Sequence, residues 1–334
     1  MKRVRFAPSP TGSLHVGNAL TAVVNRRLGD WMLLRIDDTD PARNLPGGEE
    51  AIIADLEWLG IEWDEGPVRQ SERAERYVEA AAKLGDRFDG ITLLRPDGSA
   101  TYHLASVVDD SDFDITHVIR GKDHLPNERL HRRLHEALGT TPPEYIHHGL
   151  IVGEDGRKMS KRSEGATVAS LRDAGIPYEA LRSYLEELGL PRGDVRYDLG
   201  RIRRFSVETI AGLPDEELGA RVGVPAEIVP ALRGARDLNE ARNYAAIILE
   251  PGDGLLLGDE ARPTLERFRE LRAGANGRLD QDSARVLLRE LKAVGGDLRA
   301  LRRALTGCER GPELAAVLSV LDRDETLRRI DAAL

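Results

Sequence analysis

Cysteine occurs once in 334 residues, at Cys308. That excludes internal disulfides and any zinc site built from several cysteines. No run of 18 apolar residues is present, so no membrane-spanning helix is expected. The opening MKRVRFAPSP has no apolar signal core, and a cytoplasmic enzyme is the expectation. Lysine is scarce, at six of the 48 basic residues. An excess of positive charge is also missing: the net charge is −9. The deficit is local, because residues 1–198 hold 26 basic and 34 acidic side chains, and residues 199–334 hold 22 and 23. Overall charge therefore does not exclude a nucleic-acid partner for the second part. Histidine is absent after His148, and all eight lie from His15 onward to that point. The chemistry is expected in the same stretch.

What is present reads as a soluble globular chain of two or three domains, 41% hydrophobic and 31% charged. RVRFA alternates and runs into the turn PSPTG, a strand ending in a loop. Val16, Leu20, Val23, Val24 and Leu28 then recur at helical spacing up to Gly29. WMLLRI is a second buried strand, and EEAIIADLEWLG a helix stopping at Gly60. SERAERYVEAAAKLG is a helix with Ser71 as N-cap and Gly85 as stop. GITLL, ITHVIRG and YIHHGLIVG read as strands, and NERLHRRLHEALG as a helix. Strand–helix alternation implies a parallel sheet covered by helices. After about residue 165 strand signals fade, and helices follow, with Asp297 and Asp324 as N-caps. Repeats and low-complexity tracts are absent. The expected organisation is an α/β Rossmann-type parallel-sheet domain over 1–165, a helical connecting region over 166–210 and a helical region over 211–334.

Two stretches carry chemistry. FAPSPTGSLHVGNALTA places a glycine-containing loop between a strand and a helix N-terminus. There, unpaired N–H groups and the helix dipole suit an anion, and His15 can donate to a phosphate oxygen. Gly17 permits close approach. Alone, such a loop also fits a plain connection. GRKMSKRSEG adds Lys158, Lys161 and Arg162 on a glycine-flanked loop past a later strand, suited to closing over a triphosphate.

Together these boxes resemble the signatures of class I aminoacyl-tRNA synthetases. RFAPSPTGSLHVGNALTA, LRIDDTD, ATYHLASVVDD, ITHVIRGKDHL and GRKMSKR, in that order, are similar to successive active-site blocks of the bacterial glutamyl-tRNA synthetases. LRALRRALTG and DETLRRIDAAL resemble the end of their helical anticodon-binding region. The resemblance implies ATP-dependent activation of L-glutamate to glutamyl-adenylate and its transfer to tRNA(Glu). His15, Lys158 and Lys161 are the implied catalytic groups. ATP, as its magnesium salt, is implied to meet Pro8, Gly12, His15, Gly17, Asn18, Leu150, Ile151, Lys158, Met159, Ser160 and Lys161. Arg5, helped by Tyr102, is implied to hold the glutamate side-chain carboxylate, and Arg120 the α-carboxylate. Ala7, Ser9 and Asp37 are implied to surround the amino group. No zinc or other resident metal is expected. The implied partners are glutamate and a tRNA bound by the helical region, with no membrane and a monomeric state.

The sequence also departs from that family. Asp37 stands where Glu is usual, Lys122 where an acid is usual, and Asn18 ends the first box in place of histidine. RIRRF at 201–205 replaces a more apolar stretch. Largest of all, residues 85–101 replace a whole insertion that in the family grips the tRNA acceptor end. A glutamate-activating paralog serving another acceptor (a carrier, a small molecule or a modified tRNA base) is therefore the alternative. A non-catalytic tRNA-binding module, or a general nucleotidyltransferase, explains fewer of the blocks.

Overall fold

The computed structural model describes residues 1–157, 159, 163–250, 257–275 and 277–334. The chain divides into one unit of Met1–Asp173 with Leu181–Ile202 and a second of Ala174–Ala180 with Arg203–Leu334.

In the first unit, β1 (Arg3–Phe6) leads through the Pro-Gly loop into α1 (Val16–Leu28). Both β2 (Trp31–Ile36) and β3 (Glu65–Arg69), with α2 (Gly48–Trp58) between them, extend a parallel sheet of order β1-β2-β3. Val4 pairs with Met32 and Phe6 with Leu34. Burial on both faces explains the nearly continuous apolar run of β2. Gly29 is required by packing, because a Cβ there would stand 2.4 Å from Val4 Cγ2. After α3 (Ala74–Leu84) comes a short hairpin of β4 (Arg87–Phe88) and β5 (Ile91–Thr92). Then α4 (Tyr102–Asp112), β6 (His117–Gly121), α5 (Leu125–Leu138) and β7 (Glu144–His148) follow. β6 and β7 pair in parallel. The start of β6 meets β1, where Thr116 N donates to Arg3 O at 2.9 Å. The loops at the carboxyl ends of these strands converge, as expected of an open α/β sheet.

Three local expectations are corrected. YIHHGLIVG is two strands, β7 and β8 (Ile151–Val152), not one. At Gly149 between them a Cβ would lie 1.8 Å from Gly193 O. That close backbone approach lets β8 pair with β9 (Val195–Arg196), a two-residue strand inside the stretch expected to be helical. Ser71 does not cap α3: a 3₁₀ turn precedes the helix, and the Ser71 N–H and hydroxyl both donate to Asp38, at 2.7 and 2.6 Å. Asp324 is likewise not the cap of the last helix. Asp322 is, accepting from Glu325 N at 2.7 Å.

The remaining helices are α6 (Val168–Asp173), α7 (Tyr178–Leu188), α8 (Leu199–Gly212), α9 (Asp215–Val222), α10 (Leu238–Leu249), α11 (Arg262–Gly274), α12 (Gln281–Ala293), α13 (Leu298–Thr306), α14 (Leu314–Val320) and α15 (Arg323–Ala333). Leu265, Phe268, Leu291, Leu301, Leu305 and Ile330 form a main core of the second unit. Asp237, Asp280, Asp297 and Asp322 cap α10, α12, α13 and α15 through their carboxylates. Each such cap contributes about 1 kcal/mol.

Candidate active site

The loop after β1 is clamped by α2. Both Ser13 Oγ and Leu14 N donate to buried Asp55 Oδ2 at 2.7 Å. Gly48 packs on the same loop, where a Cβ would lie 2.3 Å from Pro10 O. This fixes His15 as the N-cap of α1, its Nδ1 accepting from Gly17 N at 3.1 Å. An accepting Nδ1 puts the proton of a neutral ring on Nε2. The backbone on either side of His15 is tied to the segment beyond the basic loop. Val16 N donates to Ala166 O, and Val168 N to Leu14 O, both at 2.9 Å. The segment that follows the second signature stretch therefore lies beside the first. Lys158, Ser160, Lys161 and Arg162 themselves lie outside the described residues. Met159 between them is buried and faces the same cavity.

That cavity measures about 640 Å³. Of the described residues expected around ATP, it is lined by Pro8, His15, Gly17, Asn18, Leu150, Ile151 and Met159. Gly12 does not line it; its φ of +88° instead forms the turn. All six residues expected around glutamate, Arg5, Ala7, Ser9, Asp37, Tyr102 and Arg120, line it.

Their partners differ from expectation in two places. Tyr102 was expected to assist Arg5, but its hydroxyl accepts from Arg120 Nη1 at 3.2 Å and faces His124 Nδ1 at 3.2 Å. Burial raises the Tyr102 pKa and keeps the phenol protonated. Asp37 lines the cavity, yet both its oxygens are held by Arg35, at 2.7 Å from Nε and 3.3 Å from Nη2. Burial raises the Asp37 pKa against the pull of Arg35.

Arg35 itself was not singled out by sequence. It is fully buried on β2 and also holds Asp110 Oδ1 at 2.9 Å, with Asp109 Oδ2 3.6 Å away. Burial disfavours its charge, but Asp37, Asp110 and Asp109 more than compensate and keep it charged. Arg5 Nε lies 3.3 Å from Asp110 Oδ1. Burial pushes the Asp110 carboxyl up, and Arg5 and Arg35 outweigh that to hold it below its usual range. The ion cluster thus fixes the floor on which Arg5 stands. Arg120 is held from its other side, its Nε donating to His147 Nε2 at 3.2 Å. Its Nη2 is buried with no hydrogen-bond partner among the described residues. A buried guanidinium with an open N–H edge is a ready carboxylate receptor. Lys122 is turned away, bridged to Asp194 at 2.8 Å.

Residues 1–88 and 85–196 match the family described as tRNA synthetases class I (E and Q), catalytic domain. The chain belongs to this family of class I synthetases. Residues 276–334 match an anticodon binding domain. Among relatives of this synthetase, a glutamate–tRNA ligase of Rubrobacter xylanophilus is 34% identical, covering 99% of this chain and 97% of its own. One of Akkermansia muciniphila is 32% identical, covering 98% of both. The crystal structure of a glutamate tRNA ligase from Elizabethkingia meningosepticum shares the fold, with a TM-score of 0.77 at 22% identity over 99% of both chains. The Rubrobacter alignment runs over 423 positions, more than the 334 residues of this chain, so it carries long gaps on this side. The catalytic-domain match also breaks into two stretches meeting at 85–88, where the short hairpin begins.

In this synthetase His103, His124 and His148 line the cavity, and His131 is packed behind His103. His131 is buried and hydrogen-bonded to His103 at 3.1 Å between Nδ1 and Nε2. Burial, with Arg120 and His103, pushes the His131 pKa down to about 2. Burial likewise lowers His103, His135, His147 and His148. A lowered histidine pKa means that the unfolded chain binds protons the folded chain refuses. Stability therefore falls as pH drops below the unfolded value near 6.5. His131 alone should cost about 2 kcal/mol by pH 5. Thermal melting from pH 7.5 to 5 should show a fall in midpoint that His131→Gln makes shallower. An identical slope in the variant would reject the assignment.

Proposed function

We propose that this chain activates L-glutamate with ATP and transfers the glutamyl group to tRNA(Glu). The observation that carries the reading is the pair of buried arginines, Arg5 and Arg120, sharing one cavity with the His15 helix N-terminus. Arg120 receives the α-carboxylate on its open edge, and Arg5 the side-chain carboxylate. Ala7, Ser9 and Asp37 surround the amino group. An α-carboxylate oxygen attacks the α-phosphorus and pyrophosphate leaves. A terminal ribose hydroxyl of tRNA then attacks the acyl carbon and AMP leaves. His15 Nε2–H and the α1 N-terminus stabilise negative charge gathered on the α-phosphate. Gly17, Asn18, Leu150, Ile151 and Met159 seat the nucleotide. Lys158, Ser160 and Lys161 are assigned to the pyrophosphate. Magnesium accompanies ATP as part of that substrate.

The helical region 211–334 takes the tRNA anticodon arm, and the enzyme works as a cytoplasmic monomer. Among the described residues no helix is long and apolar enough to cross a membrane. A second reading, transfer to another acceptor, is favoured by one observation: the Rubrobacter alignment is longer than this whole chain. Aminoacylation of total tRNA with labelled glutamate decides between them. Glutamate-specific charging of tRNA(Glu) is expected. Formation of adenylate without any charged tRNA would overturn the transfer step in favour of another acceptor.

The pocket also predicts selectivity. Glutamine would leave a buried guanidinium facing an amide, a penalty of about 2–5 kcal/mol. Pyrophosphate exchange with tRNA supplied should therefore run at least about thirtyfold better with glutamate, as kcat/KM. Parity with glutamine would reject the role of Arg5 toward the side-chain carboxylate.

A further inference from the structure

Arg120 is held from behind by side chains that do not line the cavity. It stands on β6 beside His147 on β7, the two being paired residues of the parallel ladder. Its Nε donates to His147 Nε2 at 3.2 Å. On the other side of that ring, His147 Nδ1 lies 3.5 Å from Oε2 of Glu128, in the first turn of α5. Glu128 is steadied in turn by Arg132, whose Nε donates to its Oε1 at 2.7 Å. Tyr145 sets the plane of the histidine: the two rings lie 10° from parallel, with centroids 6.4 Å apart. The guanidinium carbons of Arg120 and Arg132 stand 5.1 and 4.9 Å from the centre of that tyrosine ring. Arg120 lines the main cavity, and neither His147 nor Glu128 does.

A guanidinium donates hydrogen bonds and accepts none. His147 Nε2 must therefore present its lone pair to Arg120, which puts the proton of the neutral ring on Nδ1. Burial, with Arg120, lowers the His147 pKa and keeps the ring neutral. The Nδ1–H then faces the side where the Glu128 carboxylate lies. A negative charge there attracts that N–H and repels the lone pair of the other tautomer. Without the carboxylate, the tautomer protonated on Nε2 becomes accessible. Its N–H would meet the Arg120 Nε–H head on, and the guanidinium would turn. Turning it moves Nη2, the buried edge left open toward a ligand.

We infer that Glu128 is a positioning residue for the α-carboxylate site: it selects the tautomer of His147, and that tautomer aims Arg120. The inference rests on the reading above that Arg120 receives the α-carboxylate of glutamate. Arg120 grips that group before the attack on phosphorus as well as during it. A badly aimed Arg120 therefore weakens glutamate binding more than it slows the chemical step.

The experiment is a double-mutant cycle of Glu128→Ala and His147→Gln, with Arg120→Met beside it, read by pyrophosphate exchange with tRNA supplied. A glutamine can offer its amide oxygen to Arg120 Nε and has no tautomer to choose. Glu128→Ala should raise the KM for glutamate on the order of tenfold, the size of one hydrogen bond to a charged group. Its kcat and its KM for ATP should stay within about twofold of wild type. Whatever the KM of His147→Gln, adding Glu128→Ala to it should change nothing further. A Glu128→Ala effect that persists in the His147→Gln background would show that Glu128 acts through Arg132 or helix packing, and overturns the inference. Arg120→Met should raise the KM for glutamate at least as much as Glu128→Ala does. If it does so while Glu128→Ala is silent, the positioning role alone fails. A wild-type KM in Arg120→Met overturns the α-carboxylate reading itself, and the role of Glu128 with it.

Discussion

Arg35→Met should remove about 3–5 kcal/mol of folding stability, because it strips the shared cation from buried carboxylates. That is a large part of what a domain of this kind possesses. Asp37 is held by Arg35 alone among the described residues. Asp109 retains Arg73 at 2.8 Å, Gln70 at 2.8 Å and Tyr77 at 2.9 Å, and Asp110 retains Arg5 at 3.3 Å. With Arg35 gone, the burial that already raises Asp37 is opposed only by the weaker pull of Arg5. A carboxyl whose folded pKa is raised binds protons more tightly in the folded state. The variant's deficit should therefore shrink as pH falls through that raised value. Urea unfolding at pH 7.5 and 5.5 measures both effects. A variant within about 0.5 kcal/mol of wild type at pH 7.5, close to the error of such measurements, would show that the cluster is not structural.

His15→Ala should lower the turnover number for glutamyl-adenylate formation by about 10²–10³, with a smaller change in the KM for ATP. The residue has two jobs that a single variant confuses, since its ring also caps α1 through Gly17 N at 3.1 Å. Losing a cap costs about 0.5–2 kcal/mol of stability. His15→Asn separates the two. An asparagine caps well, so the melting midpoint should stay near wild type while turnover falls as in the alanine variant. Pyrophosphate exchange with tRNA supplied, beside a melting curve, gives the two readouts. Full turnover in His15→Asn would confine the histidine to capping.

The parts of the molecule legible in sequence are those governed by local rules. The apolar period of α1 and the alternation around β1 needed only nearest neighbours. Ser71 and the split at Gly149 escaped because distant partners decided them. Asp38 drew the serine away from the helix, and the backbone at Gly193 forced the chain to turn. Asp324 failed as a cap for a simpler reason, a second aspartate two residues earlier. In the site, the six residues expected around glutamate came from motif order and do share one cavity. Who bonds whom did not follow, because side-chain partners depend on a third dimension that motif order lacks. Arg35 left a readable signal: an arginine inside the apolar run WMLLRI requires carboxylates nearby, and VVDD in ATYHLASVVDD places two among apolar neighbours. Glu128 left none, since an acid in NERLHRRLHEALG reads as an ordinary helix surface.

The tip of the β4–β5 hairpin, at Asp89 and Gly90, makes the fold a natural splice point. Phe88 and Ile91 are paired partners, so chain leaving at one and returning at the other finds its ends already together. Loop-closure entropy grows only with the logarithm of length, by about 0.6 kcal/mol per doubling. Segments of very different size can thus be exchanged at this turn while Leu93 and Ala100 stay in the core. The catalytic body and whatever projects from this turn are therefore separable properties, and a longer arm grafted here would enlarge the surface without refolding the core.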